Sequence, residues 1–156
     1  MKTSDHSTQN ATKKKSHPFW RWFWLTFLVL SLAYAWYSFY APSNAIKWVS
    51  NITSVQELPK KTTKNTLLFF TGKWCSPCQI MKREVFADKA VEQIVNSELT
   101  PVKIDIDNPT FKPLVDYYEI GTTPTTVIVN SEGEVLDYAV GKIDKNKFLD
   151  MVSNCK

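Results

Sequence analysis

The residues with the clearest chemical potential are two cysteines separated by two positions, within residues 74–78 (WCSPC). They follow an apolar run of strand length and begin a predicted helix that extends from Ser76 to about Phe86. Cysteines three positions apart in a first helical turn can close a small disulfide. The free N–H groups and the dipole of that turn favour a thiolate on Cys75. The pattern therefore indicates thiol–disulfide exchange, in which Cys75 attacks and Cys78 resolves the mixed disulfide.

A cysteine pair of this kind also occurs in two other settings. Half of a zinc site needs two further ligands, and the remaining cysteine and histidines are Cys155, His6 and His17. Cys155 lies at the far end of the chain and both histidines precede a predicted membrane span, so the pattern disfavours zinc. A purely structural disulfide across so short a loop would constrain the unfolded chain little. We therefore predict no metal and no cofactor.

An apolar segment near the N-terminus predicts a membrane anchor. Residues 22–40 (WFWLTFLVLSLAYAWYSFY) contain no charge, and a helix of this length reaches about 29 Å, close to the hydrocarbon thickness of a bilayer. Tryptophan and tyrosine are concentrated at its ends, as in interfacial aromatic belts. The net charge of +4 lies entirely before residue 43. Basic residues ahead of the span predict a cytoplasmic N-terminus and a C-terminal part outside the cytoplasm.

These features divide the chain into four segments. We predict a basic cytoplasmic tail at 1–21, a transmembrane helix at 22–40, a stem at 41–50 and one folded domain at 51–156. In a Gram-negative cell the protein would be a single-pass inner-membrane protein with its domain in the periplasm. The domain is electrically neutral, so nucleic acid is not an expected partner.

The alternative to a retained anchor is a cleaved signal peptide. Residues 33–35 (AYA) and 43–45 (SNA) both fit a small-x-small cleavage site. The polar stretch before the apolar run is long for a signal peptide, and the aromatic density is typical of a retained span. We therefore favour the anchor.

The elements that must position the cysteines alternate between strands and helices. A continuous apolar run at 66–71 (TLLFFT) predicts a central strand buried on both faces. Asp88 and Asp144 are typical N-caps of two later helices. The other predicted elements are a short helix ending near Pro59, strands at 101–107, 125–129 and 134–140, and a helix at 109–118. This order predicts an α/β fold with a mixed central sheet and helices on both faces.

Several motifs, in the same order, resemble the thioredoxins and thioredoxin-like thiol-disulfide oxidoreductases over nearly all of residues 51–156. Residues 74–78 look like the family's W-C-G-P-C with serine for glycine, residues 118–125 (YEIGTTPT) resemble the stretch that carries its cis-proline, and Val140-Gly141 matches its late glycine. The resemblance implies a thioredoxin fold. It also implies that Pro124 is cis and faces the disulfide, where the backbone at Thr123 and Pro124 binds an extended substrate segment.

The resemblance also assigns roles around the cysteine pair. It places Trp74, Ser76 and Pro77 in the active-site loop. We expect Trp74 to pack over this loop and limit access, with a simple surface aromatic as the alternative. Cys155 falls on the apolar face of the last predicted helix, where we expect a small buried hydrophobe. An intermolecular disulfide or a regulatory thiol is the alternative for Cys155.

One position departs from the family pattern. Six residues before Cys75, where thioredoxins usually carry a buried acid that helps to move the resolving cysteine's proton, this chain has Phe69. Lys103 lies on the strand that matches the one carrying this acid's lysine neighbour, and it is equally consistent with an edge or surface lysine. Asp105 is an alternative base, although no spacing argument places it near Cys78. Without such a base, proton transfer depends on water.

The sequence therefore predicts a membrane-anchored, extracytoplasmic thiol-disulfide oxidoreductase that acts on protein thiols and disulfides, in the first place as a reductase. No NADPH is available outside the cytoplasm, so a reductase there needs a membrane-embedded dithiol relay as its electron donor. An oxidase or isomerase of the same family is the alternative enzyme. The rival from another class is a redox-inactive thioredoxin-fold module that holds a partner at the membrane. The intact cysteine pair and the cis-proline motif favour the enzyme.

Overall fold

The computed structural model describes residues 18–40, 43–49, 52, 54, 57 and 64–155. The chain divides after Trp36 into two compact units, which are described separately. Helix α1 (Pro18–Phe39) begins four residues before the predicted span, since a proline is well accommodated in the first turn of a helix. Its apolar side chains are largely exposed. Residues Phe19–Phe39, with a mean hydropathy of 1.3, are long and apolar enough to cross a membrane.

The second unit is organised around a four-stranded sheet. Its strands are β1 (Thr66–Thr71), β2 (Thr100–Asp105), β3 (Thr125–Val129) and β4 (Val135–Val140). They lie in the order β2-β1-β3-β4. β1 runs parallel to β2 and antiparallel to β3, and β3 runs antiparallel to β4. The predicted mixed sheet is therefore confirmed, with β1 at its centre.

The structure describes four α-helices in this unit, and all but the third begin after a residue whose side chain accepts a helix N–H. They are α2 (Ser76–Glu84), α3 (Lys89–Glu98), α4 (Lys112–Tyr117) and α5 (Lys145–Asn154). The Asp88 side chain accepts hydrogen bonds from the N–H groups of Ala90 and Val91, and that of Asp144 accepts one from Lys147. Both predicted N-caps are therefore confirmed.

Two predicted helices are shorter than expected. The helix from Ser76 ends at Glu84, because Val85 caps it and the chain then turns Val85 and Phe86 into the core. The predicted helix at 109–118 is a 3-10 turn (Pro109–Phe111) followed by α4. Pro113 explains this break, since it has no N–H to donate to the Pro109 carbonyl and its ring would clash there.

The strands predicted at 66–71 and 125–129 are confirmed with the same bounds, whereas the other two shift by one or two residues at their ends. β2 ends at Asp105 rather than at residue 107, where the Asp107 N–H donates to the Asp105 carboxylate and the chain turns. β4 begins at Val135 rather than at Glu134, because the Glu134 N–H donates to Asn130 Oδ1 in the preceding turn. The predicted short helix ending near Pro59 lies largely outside the described residues.

The sheet separates two apolar clusters. Every residue of β1 is buried, and its side chains alternate between the two faces. Leu67 and Phe69 join a cluster with residues of α2, α3 and α5. Leu68 and Phe70 join a second cluster with residues of β2 and α4. Helices therefore cover both faces, as the predicted architecture requires, and β1 leads directly into the loop that carries the cysteines.

Candidate active site

The two cysteines lie at the start of α2 and are joined by a disulfide. Cys75 is the N-cap residue, and its sulfur accepts a hydrogen bond from the Cys78 N–H at 3.1 Å. Their Cα atoms are 5.2 Å apart. Cys75 is half-buried, whereas Cys78 is completely buried. The helix N-terminus therefore faces the sulfur of Cys75, and of the two sulfurs it is Cys75 that a second molecule can reach.

The loop before Cys75 is held by a carboxylate from the loop that follows the neighbouring strand β2. The Lys73 N–H donates to Asp107 Oδ2 at 3.1 Å, and the Cys75 N–H donates to the Gly72 carbonyl at 3.4 Å. Sequence reasoning did not identify Asp107 as part of the site. The signal was present in the parallel pairing of β1 with β2, because two parallel strands end at the same edge of a sheet and bring their following loops together.

The Thr123–Pro124 peptide bond is cis, as the resemblance implied. The Gly141 N–H donates to the Pro124 carbonyl at 2.7 Å, and Gly141 has a φ of 84°, which glycine adopts readily. The register pairs Phe70 with Thr125. The start of β3 and the end of β1 therefore share one edge of the sheet, and this edge carries both the cis bond and the cysteine loop.

The other residues predicted for the loop differ in exposure. Ser76 is half-buried and Pro77 is exposed. The Trp74 side chain is 85% exposed. The expectation that Trp74 packs over the active-site loop is therefore wrong, and the alternative of a surface aromatic describes its position. Its ring extends into solvent from the loop that precedes α2.

Phe69 packs against aromatic side chains. It is completely buried, and its ring lies 4.7 Å from the ring of Phe86 and 6.1 Å from that of Trp48, between centroids. Lys103 pairs with Phe69 in the register of β1 and β2, and Lys103 is exposed, as an edge or surface lysine would be. Among the contacts of the described residues, none joins Asp105 to Cys78. The Asp105 carboxylate instead accepts the Asp107 N–H at 3.1 Å.

Cys155 lies at the end of α5 and is buried, which confirms the prediction of a small buried hydrophobe. Burial raises the pKa of its thiol, and the charge of Asp137 raises it further. Its carbonyl accepts a hydrogen bond from Asn65 Nδ2 at 2.6 Å. Within the described ranges, no three histidine, cysteine or acidic side chains come together where they could hold a metal ion.

Comparison with known proteins agrees with this geometry. Residues 54–156 match the model of the thioredoxin-like domain family. The chain is 28% identical to the thioredoxin of Mycoplasma genitalium over 108 residues, which are 68% of this chain and 99% of that protein. It is 27% identical to the thiol-disulfide oxidoreductase ResA of Bacillus subtilis over 119 residues, 64% of this chain and 66% of that protein.

A similar fold is found among solved structures. The solution structure of a thioredoxin from Thermus thermophilus superposes with a TM-score of 0.60 and 20% sequence identity. The match covers 70% of this chain and 85% of that one. At this level of identity the likeness concerns the fold, and it agrees with the mixed sheet and the helix order described above.

Proposed function

The chain belongs to the thioredoxin-like family and is a thiol-disulfide oxidoreductase, and on that premise we propose that it works as a membrane-anchored reductase of protein disulfides outside the cytoplasm. The observation that carries the proposal is the asymmetry of the cysteine pair. Cys75 is accessible at a helix N-terminus, while Cys78 is buried one turn further along α2. Such a pair separates the attacking sulfur from the resolving one.

The reaction starts from the dithiol form. The Cys75 thiolate attacks one sulfur of a substrate disulfide, forms a mixed disulfide and releases the first substrate thiol. Cys78 then loses its proton and attacks Cys75, which releases the second substrate thiol and leaves the Cys75–Cys78 disulfide. Two electrons pass from the protein to the substrate. The disulfide-bonded protein is therefore the product state of a reductase, and it needs a dithiol donor to return to the starting state.

The backbone at Thr123 and Pro124 supports a role in substrate binding. Both residues lie at the sheet edge that carries the cysteine loop, and Gly141 holds the carbonyl of Pro124 in place. Thr123 is half-buried, so part of this segment is open to solvent. An extended stretch of substrate could align there with its disulfide beside Cys75.

Helix α1 supports the membrane location. It is long and apolar enough to cross a bilayer, and the basic residues that precede the predicted span favour a cytoplasmic N-terminus. The catalytic part would then lie outside the cytoplasm, in the periplasm of a Gram-negative cell. Because NADPH is absent there, the electron donor in this proposal is a membrane protein that presents its own dithiol.

The direction of electron flow is tested by the redox potential of the full-length protein. We would equilibrate the purified protein in detergent micelles with dithiol buffers and measure the fraction of free Cys75 and Cys78 by alkylation. A Cys155→Ala variant serves as the control, because in it only Cys75 and Cys78 can be alkylated. A potential near that of thioredoxin, about −270 mV, supports a reductase. A potential near about −120 mV, as in a strong periplasmic oxidant, would reverse the assigned direction.

A redox-inactive module that holds a partner is the competing proposal. It predicts that replacing both cysteines by alanine leaves the cellular function of the protein intact. If the variant loses the cellular function while its amount in the membrane equals that of the wild type, the result supports the enzyme.

A further inference from the structure

A cavity of about 310 Å³ lies beside Phe69, on the side of the sheet covered by α2, and neither active-site cysteine lines it. Its wall combines two aromatic rings with polar and basic side chains. The residues that matter here are Asn44, Trp48, Phe69, Gln79, Lys82 and Lys103. The volume is at the lower end of the range of about 300–1,000 Å³ that is typical of small-molecule pockets.

Two lysines line this cavity. Lys103 and Phe69 are paired in register, so their side chains project from the same face of the sheet. Lys82 comes from α2 and is half-buried. Burial lowers the pKa of Lys82, Lys103 lowers it further, and the charge of Asp105 acts in the opposite direction. The two positive charges therefore repel each other in a partly desolvated place.

The negative charge that acts on Lys82 is that of Asp105, which is not among the described residues that line the cavity. None of the three described salt bridges includes Lys82 or Lys103. No aspartate or glutamate is among the described residues that line the cavity. An anion placed between the two ammonium groups would relieve their repulsion and offset the cost of burying Lys82.

The remaining wall adds donors and an apolar surface. Gln79 lies three positions before Lys82 and therefore on the same face of α2. Asn44 Oδ1 accepts a hydrogen bond from Trp48 Nε1 at 3.1 Å, which orients the indole ring beside the cavity. Of the two rings, Phe69 is completely buried and the half-buried Trp48 is the one with accessible surface. The Trp48 ring gives an apolar surface that inorganic anions cannot use, whereas an organic anion gains by burying its own apolar part there.

We propose that this cavity is a binding site for a small aromatic carboxylate. The carboxylate lies between Lys82 and Lys103, and the ring packs against Trp48. The site goes beyond the proposed redox function, since it uses neither cysteine nor the cis-proline segment. Its success or failure is therefore independent of the direction in which the enzyme moves electrons.

The first experiment tests the chemical class of the ligand. Full-length, disulfide-bonded protein in detergent micelles is titrated with benzoate by isothermal calorimetry, in parallel with benzamide and with inorganic phosphate. We expect saturable binding of one benzoate per chain. Benzamide has the same shape without the charge, and phosphate has charge without a ring, so both should bind at least about tenfold more weakly, a difference of about 1.4 kcal/mol.

The second experiment tests the residues. Lys82→Gln and Lys103→Gln should each weaken benzoate binding by about tenfold, a size typical for loss of a charge-assisted hydrogen bond, whereas Lys82→Arg should retain most of it. Lys147→Gln is the matched control, because Lys147 is an exposed lysine on α5, and it should bind as the wild type does. Thermal unfolding establishes that each variant is folded, and a failure of one glutamine variant to fold leaves the other to decide.

Three results would overturn the proposal. They are the absence of saturable benzoate binding, binding of benzamide or phosphate as tight as that of benzoate, and unchanged benzoate affinity in the folded glutamine variants.

Discussion

Cys75 and Cys78 have the same chemistry but different surroundings. Cys75 caps α2, where a helix N-terminus stabilises a thiolate, and it is partly open to solvent. Cys78 is completely buried within the core cluster that also contains Phe69. Two cysteines three positions apart therefore differ in accessibility, and this difference is the basis for proposing Cys75 as the nucleophile and Cys78 as the resolving thiol.

We predict that Cys78→Ala accumulates mixed disulfides with substrate proteins, whereas Cys75→Ala does not. Without Cys78, the complex between Cys75 and its substrate has no resolving thiol. The measurement is non-reducing electrophoresis of membranes after acid quenching and alkylation, with Cys155→Ala as the background of both variants. Equal trapping by the two variants, or by neither, would contradict the assigned roles.

Phe69 determines how the proton of Cys78 can leave. The ring is completely buried and packs against Phe86 and Trp48, so this position supplies no carboxylate to accept a proton. We expect resolution by Cys78 to be slow at neutral pH and to accelerate as the pH rises towards the ordinary pKa of a thiol, about 8.5.

Phe69→Asp tests this role of Phe69 directly. The carboxylate would lie at the cavity bordered by Lys82 and Lys103, and it should raise the exchange rate at neutral pH by up to about a hundredfold, the lower end of what a positioned base contributes. Loss of the aromatic packing alone should cost about 3–5 kcal/mol of unfolding free energy. The measurements are exchange rate against pH and chemical denaturation.

Phe69→Asn is the matched control for this substitution. It loses the same packing but offers no base, so it should lose stability without gaining rate. If the wild type is already as fast at neutral pH as Phe69→Asp, another group serves as base, and Asp105→Asn would be the next variant to measure.

At the scale of elements, α3 is tied to α5 through its N-cap. Asp88 accepts the N–H groups of Ala90 and Val91 and also pairs with the ammonium of Lys145 at 2.8 Å. The hydrogen bond from Lys145 is the largest of the effects that hold the pKa of Asp88 below its ordinary value of 3.8. One carboxylate therefore caps one helix and joins it to the start of another.

This lowered pKa predicts a specific acid sensitivity. A carboxyl whose pKa is lower in the folded than in the unfolded state stabilises the fold above its unfolded pKa, and that contribution is lost as the pH falls below it. Asp88→Asn keeps a capping oxygen but loses the charge, so it should be less stable than the wild type at neutral pH. The difference should shrink as the pH falls below about 4. Thermal unfolding at a series of pH values measures it.

Lys145→Gln provides the complementary measurement. It should show the same loss at neutral pH and the same convergence in acid, because it removes the other half of the pair. A stability difference between wild type and Asp88→Asn that does not change with pH would show that capping alone, and not the charge, accounts for the effect.

At the scale of the whole molecule, polarity divides the chain in two. The apolar helix α1 carries exposed aromatic and aliphatic side chains, whereas the sheet-containing unit buries its apolar residues in two clusters. The net charge of +4 lies ahead of residue 43, and the rest of the chain is neutral. A bilayer is a favourable solvent for the exposed apolar side chains of α1, and water is a favourable solvent for the surface of the sheet-containing unit. This difference is the physical basis of the proposed anchor.

We predict that a reporter enzyme active only outside the cytoplasm is active when it is fused after Lys156. The fusion should stay with the membrane after alkaline carbonate extraction. Replacing Lys13, Lys14 and Lys15 by glutamine should reduce reporter activity, since basic residues retain the N-terminus in the cytoplasm. Release of a shortened, soluble fusion would show that the apolar segment is a cleaved signal instead.

Features that depend on neighbouring residues could be predicted from the sequence alone. Capping, short loops and continuous hydrophobicity act over a few positions. They account for the Cys75–Cys78 pair, the helix caps at Asp88 and Asp144 and the buried run of β1. The order of these elements then predicted the mixed sheet. The predicted ends of helices and strands were less accurate. At Pro113, for example, the break in the predicted helix depends on one missing N–H.

Features that join distant segments were decided by the tertiary structure. Strand register decides two hydrogen bonds, from Lys73 to Asp107 and from Gly141 to Pro124. The packing of α2 over the sheet brings Lys82 and Lys103 to one cavity beside Phe69. The exposure of Trp74 was likewise visible only in the folded chain. Register and packing are set by the whole core at once, because each apolar side chain must find its place among all the others.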